Sequence, residues 1–163
     1  MLGVGYPAKR QKRLVGDVVE IPLSDGFKAY AITLDDATYA FYDLRVKERP
    51  ELQEIISCPI LFRVAAMSSA VKRGRWIVIG HSKLTPELQV LPPKFIQDPI
   101  KKDQFRIYEN GEIRPATREE CVGLLRASVW SPEHVEERID DHFAGRINKW
   151  ELEDRFPPTP LLQ

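Results

Sequence analysis

The chain has 163 residues, enough for a single core that buries roughly two thirds of the surface its unfolded form exposes. With 43% hydrophobic and 29% charged residues it lies far from the composition of a disordered chain, and no apolar run approaches the ~20 residues needed to cross a bilayer. Lys plus Arg and Asp plus Glu number 24 each, so no global field draws the molecule to nucleic-acid phosphates or a charged membrane.

Residues 1–13 combine Gly3, Gly5 and Pro7 with a basic cluster of Lys9, Arg10, Lys12 and Arg13, and show no apolar period. They read as a flexible arm, with order beginning at Leu14. Val18, Val19 and Ile21 predict a strand over 17–23. Ser24-Asp25-Gly26 supplies turn chemistry, and a second strand follows over 27–34. After Asp35-Asp36, the run Tyr39-Ala40-Phe41-Tyr42 predicts a third, aromatic strand. The N-terminal third is therefore a β-meander, of the kind that forms a small sheet or curls into an SH3-like partial barrel.

Pro50 opens a short helix over 50–56, which must stop before Pro59 because a residue preceding proline avoids the α region. A buried strand is predicted over 60–66, one helical turn over 68–72, and an apolar strand over 76–79. Pro86, Pro92, Pro93 and Pro99 then exclude long regular elements, which makes 80–99 the principal loop. Asn110-Gly111 between alternating residues predicts a type I′ hairpin over 105–113. Thr117 and Glu120 form a capping box and start a helix running to about Ala127. Ser131-Pro132 starts the next helix and Gly145 ends it, with Val135, Ile139 and Phe143 as its docking stripe and Glu133, Glu136, Glu137, Asp140 and Asp141 facing outward. Phe156-Pro157-Pro158-Thr159-Pro160 begins a loose tail over 156–163. The fold class is α+β: the meander, the further hairpin and two C-terminal helices packed on the sheet, in one domain over 14–155.

The chemistry-bearing residues are few. His81 stands in Gly80-His81-Ser82-Lys83, which lacks the glycine-flanked serine of a nucleophile elbow. His134 and His142 are eight residues apart with Arg138 between them, unlike the i, i+4 histidines of a helical zinc site. Cys58 and Cys121 lie in apolar settings without CxxC spacing, and both read as reduced core thiols, although a helix N-terminus beside Cys121 leaves a nucleophilic role open. No cofactor or metal is expected. Three readings follow: a binding protein, a small enzyme using the His81 loop or Cys121, and an SH3-like nucleic-acid module using the meander and the basic arm. The aromatic residues lack an interleaved Lys/Arg stripe, which places nucleic acid last.

Several segments together carry a resemblance: Gly16-Asp17-Val18-Val19-Glu20-Ile21-Pro22-Leu23, Pro59-Ile60-Leu61-Phe62-Arg63-Val64-Ala65, Gly74-Arg75-Trp76-Ile77-Val78-Ile79-Gly80 and the hairpin Ile107-Tyr108-Glu109-Asn110-Gly111-Glu112-Ile113. With Ala40-Phe41-Tyr42-Asp43-Leu44, Phe95-Ile96-Gln97-Asp98-Pro99, Val129-Trp130 and Asp141-His142-Phe143, the chain resembles the immunity protein 26 family of bacterial polymorphic toxin systems over about 14–150. The resemblance implies a cytoplasmic protein that binds and neutralises a cognate protein toxin, and it implies no catalytic residues. Many such toxins are nucleases with basic clefts. The surplus of acid over 131–154 then suggests a toxin-binding surface made of Glu133, Glu136, Glu137, Asp140 and Asp141, with Trp130 as an aromatic anchor beside them.

Overall fold

The structure is a computed structural model and describes residues 9–157. In chain order its elements are β1 (Asp17–Pro22), β2 (Lys28–Thr33), β3 (Thr38–Tyr42), α1 (Leu52–Ile56), β4 (Ile60–Ala66), α2 (Ser69–Lys72), β5 (Ile77–His81), α3 (Pro86–Gln89), β6 (Lys94–Gln97), β7 (Phe105–Glu109), β8 (Glu112–Ala116), α4 (Arg118–Cys121), β9 (Leu125–Arg126), β10 (Val129–Trp130), α5 (Pro132–Ala144) and α6 (Lys149–Asp154). The class is α+β, built on two mixed sheets. The chain forms two compact units: the described chain to Gln89 with Val129–Asn148, and Val90–Ser128 with the described chain from Lys149.

The first unit holds a six-stranded sheet in the order β10-β4-β3-β2-β1-β5. The predicted meander is its centre, with β1, β2 and β3 antiparallel in sequence order. The sheet does not close into a barrel, because β4 and β5 add to opposite edges of the meander. Partners opposite each other in register share a face, so Val19, Ala31, Phe41 and Phe62 lie on one side and Glu20 and Tyr30 on the other. On the first face Trp76 meets Tyr39 and Phe41 edge-on, at centroid distances of 5.3 and 5.7 Å, and Phe62 stacks on Phe41 at 4.8 Å. Arg138 from α5 lies 3.8 Å above the Phe62 ring, which places that helix on the same face. Edge-on and offset aromatic contacts of this kind add about 0.5–1.5 kcal/mol beyond burial.

The second unit holds a four-stranded sheet in the order β8-β7-β6-β9. Asn110 and Gly111 both have positive φ, 52° and 79°, as a type I′ turn requires, and the hairpin pairs in the expected register. The small core here is Phe95, Phe105, Ile107 and Cys121, with Phe156 packed against it.

Four expectations change. The 80–99 loop contains α3 and β6, because its prolines stand at element boundaries: Pro86 begins α3, and Pro92-Pro93 and Pro99 bracket β6. The helix expected to reach Ala127 ends at Cys121. Its capping box forms as predicted, but Val122 already has an extended ψ of 129°. The arm is docked from Gln11 onward: the Gln11 amide donates to the carbonyls of Val71 and Trp76 at 2.8 Å each and accepts from the Val78 N–H at 2.9 Å. Arg13 donates to the carbonyls of Leu34 and Thr38 and to the Tyr39 hydroxyl. Phe156, expected to start a loose tail, packs on Phe95 at 5.0 Å and Phe105 at 5.8 Å, and Arg118 donates to the Pro157 carbonyl. The remaining parts of both expected tails, residues 1–8 and 158–163, lie outside the described residues.

Candidate protein-binding surface

Helix α5 is cut as its sequence specifies. The Ser131 side chain accepts from the His134 N–H, Pro132 takes the first turn, and Gly145 closes the helix in the left-handed conformation. Val135 and Ile139 are fully buried, but Phe143, the third member of the expected stripe, is 41% exposed. Residues at i, i+4 and i+8 advance 400° and 800° around a helix of 3.6 residues per turn, so the eighth residue drifts roughly 80° off the line of the first.

The five acids of this helix do not share an outward face. Glu136 receives Arg75 in a two-pronged pair at 2.6 and 2.7 Å and the Trp76 indole N–H at 3.0 Å, and only 13% of its side chain is exposed. Asp140 receives Arg45 Nε at 3.0 Å and the Ser24 backbone N–H at 3.1 Å. Asp141 is buried, accepting from Arg146 Nε at 2.9 Å and from the Asn148 amide at 3.0 Å, with Asn148 itself buried. These three carboxylates hold α5 to the sheet and close its C-terminal turn. Glu133 and Glu137 are exposed, and Arg75 reaches Glu133 at 3.1 Å. Trp130, expected as an exposed anchor, is 5% exposed in β10, with Arg138 stacked 5.1 Å from its ring. The charge run in the sequence could not reveal the cause, because Arg45 and Arg75 lie 95 and 61 residues away in the chain from the acids they meet.

The residues weighed for catalysis have structural partners. His81 ends β5, exposed, with Nδ1 3.2 Å from Asp17 Oδ1, and Asp17 is its register partner in β1. The Asp17 carboxylate also accepts from the Leu14 N–H. Gly16 beside them has φ 94°, and a Cβ there would come within 2.8 Å of His81 Cε1 and of the Ser82 carbonyl, so only glycine allows this close edge. A working triad needs a nucleophile hydrogen-bonded to the imidazole. Ser82 Oγ instead donates to the Lys83 carbonyl. Cys121 is fully buried, and burial pushes its thiol pKa up, Glu120 adding to the effect and Arg114 opposing it. Cys58 is half-buried, and its thiol too is pushed up, by burial first and then by Asp43 and Glu54. Both thiols are held in the unreactive protonated form. Among the described residues no group of three or more His, Cys, Asp and Glu side chains is placed to hold a metal ion, and no helix is long and apolar enough to cross a membrane.

A family model for immunity protein 26 matches residues 15–106, more than half of the chain. The chain belongs to the immunity protein 26 family. The match takes in every strand of the first unit except β10, and it ends within β7 of the second. No curated protein and no solved structure matches the chain. In this member of the immunity protein 26 family, α5 and its acids lie outside the matched residues.

Proposed function

We propose that this protein protects the cell that makes it by binding a cognate protein toxin in the cytoplasm, stoichiometrically and without catalysing a reaction. The observation that carries the reading is the immunity protein 26 match over residues 15–106. The partnered His81 and the protonated, buried Cys121 support a binding role over an enzymatic one. A protective complex at nanomolar affinity requires about 12 kcal/mol, which calls for anchors as well as area.

The acidic contribution to that interface comes from Glu133 and Glu137, the two acids that α5 leaves exposed. Exposed acids of this kind accelerate encounter with a basic cleft, such as that of a nuclease toxin, more than they tighten the final complex. Glu136, Asp140, Asp141 and Trp130 serve this surface indirectly, by fixing α5 on the sheet. Co-production of toxin and protein should restore growth and yield a copurifying complex. The double variant Glu133→Lys, Glu137→Lys should associate about tenfold more slowly at low salt, with the difference shrinking as salt rises. Equal association rates at low salt would exclude α5 from the interface. Failure of the wild-type protein to restore growth would sink the immunity reading itself.

A further inference from the structure

On the first unit, the docked N-terminal segment and α2 enclose a pocket of about 650 Å³. Arg10, Lys12 and Arg13 of the N-terminal segment and Lys72 and Arg73 of α2 and its end line it, together with the hydroxyl residues Ser68 and Ser69, and among the described residues no acid takes part. Arg10, Lys12, Lys72 and Arg73 are exposed, and among the described residues none of them has a carboxylate within ion-pair distance. In a chain with equal numbers of acids and bases, five cations line this one pocket.

The wall that carries them is held in place. Gln11 bonds three backbone groups on either side of the turn after α2, its own N–H donates to the Lys72 carbonyl at 3.1 Å, and Arg13 is fixed on Tyr39 and two carbonyls. The backbone of both walls is thus pre-organised, and a ligand would meet a formed site. Leu14, which lines the pocket, is 55% exposed, and Val15 and Met67, chain neighbours of lining residues, are 44% and 48% exposed.

We propose that this basic pocket receives an acidic segment of the protein partner, a short run of Asp and Glu side chains flanked by apolar residues. The assignment rests on the immunity reading for the identity of that partner and on the pocket alone for its chemistry. Protein is favoured over nucleic acid by two features. Among the described residues no aromatic side chain lines the pocket to stack a base, and the exposed apolar side chains beside it would find no counterpart on a phosphate backbone. A mixed apolar and basic surface fits an acidic loop that buries aliphatic area while pairing its carboxylates.

The test uses the full chain and a fluorescent octapeptide of Asp and Glu with a central Leu, and a single-stranded DNA octamer as the competing probe. The wild-type protein should bind the peptide, more weakly as salt rises, and at least as tightly as the DNA. The exposed double substitution K72E/R73E should weaken peptide binding at least tenfold, and K12E should weaken it independently. The double substitution K101E/K102E changes net charge equally but lies on exposed residues of the second unit, and should leave binding unchanged. Equal losses in both double variants, tighter binding of DNA, or no peptide binding by the wild type would each overturn the pocket. With the cognate toxin co-produced, K72E/R73E should lose protection while its thermal midpoint stays at the wild-type value. Full protection by that variant removes the toxin from the pocket, whereas a wild-type chain that gives no protection defeats the immunity reading whatever the peptide does.

Discussion

Glu20 shows how a single buried charge is accommodated. It lies on the face of the sheet opposite α5, 7% exposed, and accepts from Arg49 at 2.8 and 3.2 Å and from the Tyr30 hydroxyl at 2.9 Å, with Lys28 3.6 Å away. Burial pushes its pKa up, but the hydrogen bonds from Arg49 and Tyr30 and the nearby positive charges outweigh burial and leave the carboxyl below its ordinary value of 4.5. The same pair acts in the other direction on Tyr30, whose phenol burial and Glu20 together hold far above the usual range. A folded-state pKa below the unfolded one adds stability that is complete above about pH 4.5 and fades as pH falls through the lowered value. The substitution Glu20→Gln should therefore cost about 1–3 kcal/mol at neutral pH, since it weakens charged hydrogen bonds in a buried setting. Denaturant titrations should show the gap between wild type and variant narrowing below pH 4.5. A gap that stays constant down to pH 2 would mean that the carboxylate charge contributes nothing at this position.

At the scale of the element, α5 separates acids that look equivalent in a sequence. Glu137 is exposed, whereas Asp141 is buried beneath Arg146 and Asn148. Glu137→Lys should change stability by about half a kcal/mol or less, as exposed substitutions do. Asp141→Lys should cost roughly 3 kcal/mol or more, because it removes the carboxylate that accepts from the buried Asn148 amide and places a cation beside Arg146 in a buried setting. Thermal midpoints for the two single variants measure the contrast directly, and similar midpoints would contradict the burial of Asp141. The helix also explains why an acidic run gives only a partial picture of a surface. Each residue's role depends on which cation it meets: Arg45 and Arg75 reach Asp140 and Glu136 from loops distant in the chain, whereas Arg146 meets Asp141 from just beyond the helix.

For the whole molecule, burial is uneven across the two sheets. In β2 and β3, at the centre of the six-stranded sheet, every residue except Lys28 is buried. In β8, at an edge of the four-stranded sheet, no residue is. Amides open at rates set by local burial and pairing, so the slowest hydrogen exchange is expected in β2 and β3, and β8 should exchange much faster. Mass-spectrometric exchange on the intact chain would resolve the two segments, and equal protection of β8 and β3 would contradict this ordering. Both units take in the end of a segment that composition marks as loose. Gln11 and Arg13 tie the N-terminal segment to the first sheet, and Phe156 completes the core of the second.

Local signals alone determined the β-meander, the Asn110-Gly111 hairpin, the Thr117 capping box and both ends of α5. Each of these depends on neighbours within a few residues: alternation, a positive-φ pair, a reciprocal cap, a proline and a glycine. The family was legible too, from strings now seen to lie mostly along the strands of the first unit and their flanking turns. Tertiary structure decided the rest. Whether 80–99 is all loop, whether the basic arm is free, whether Trp130 is an anchor or part of the core, and where Glu136 and Asp140 point all depend on partners distant in the chain, whereas Asp141 is held by Arg146 and Asn148 just beyond its own helix. No local pattern encodes a distant partner. A carboxylate's surroundings are fixed only when the sheet brings an arginine beside it, and an unpaired cation becomes a site only when folding places others around the same cavity.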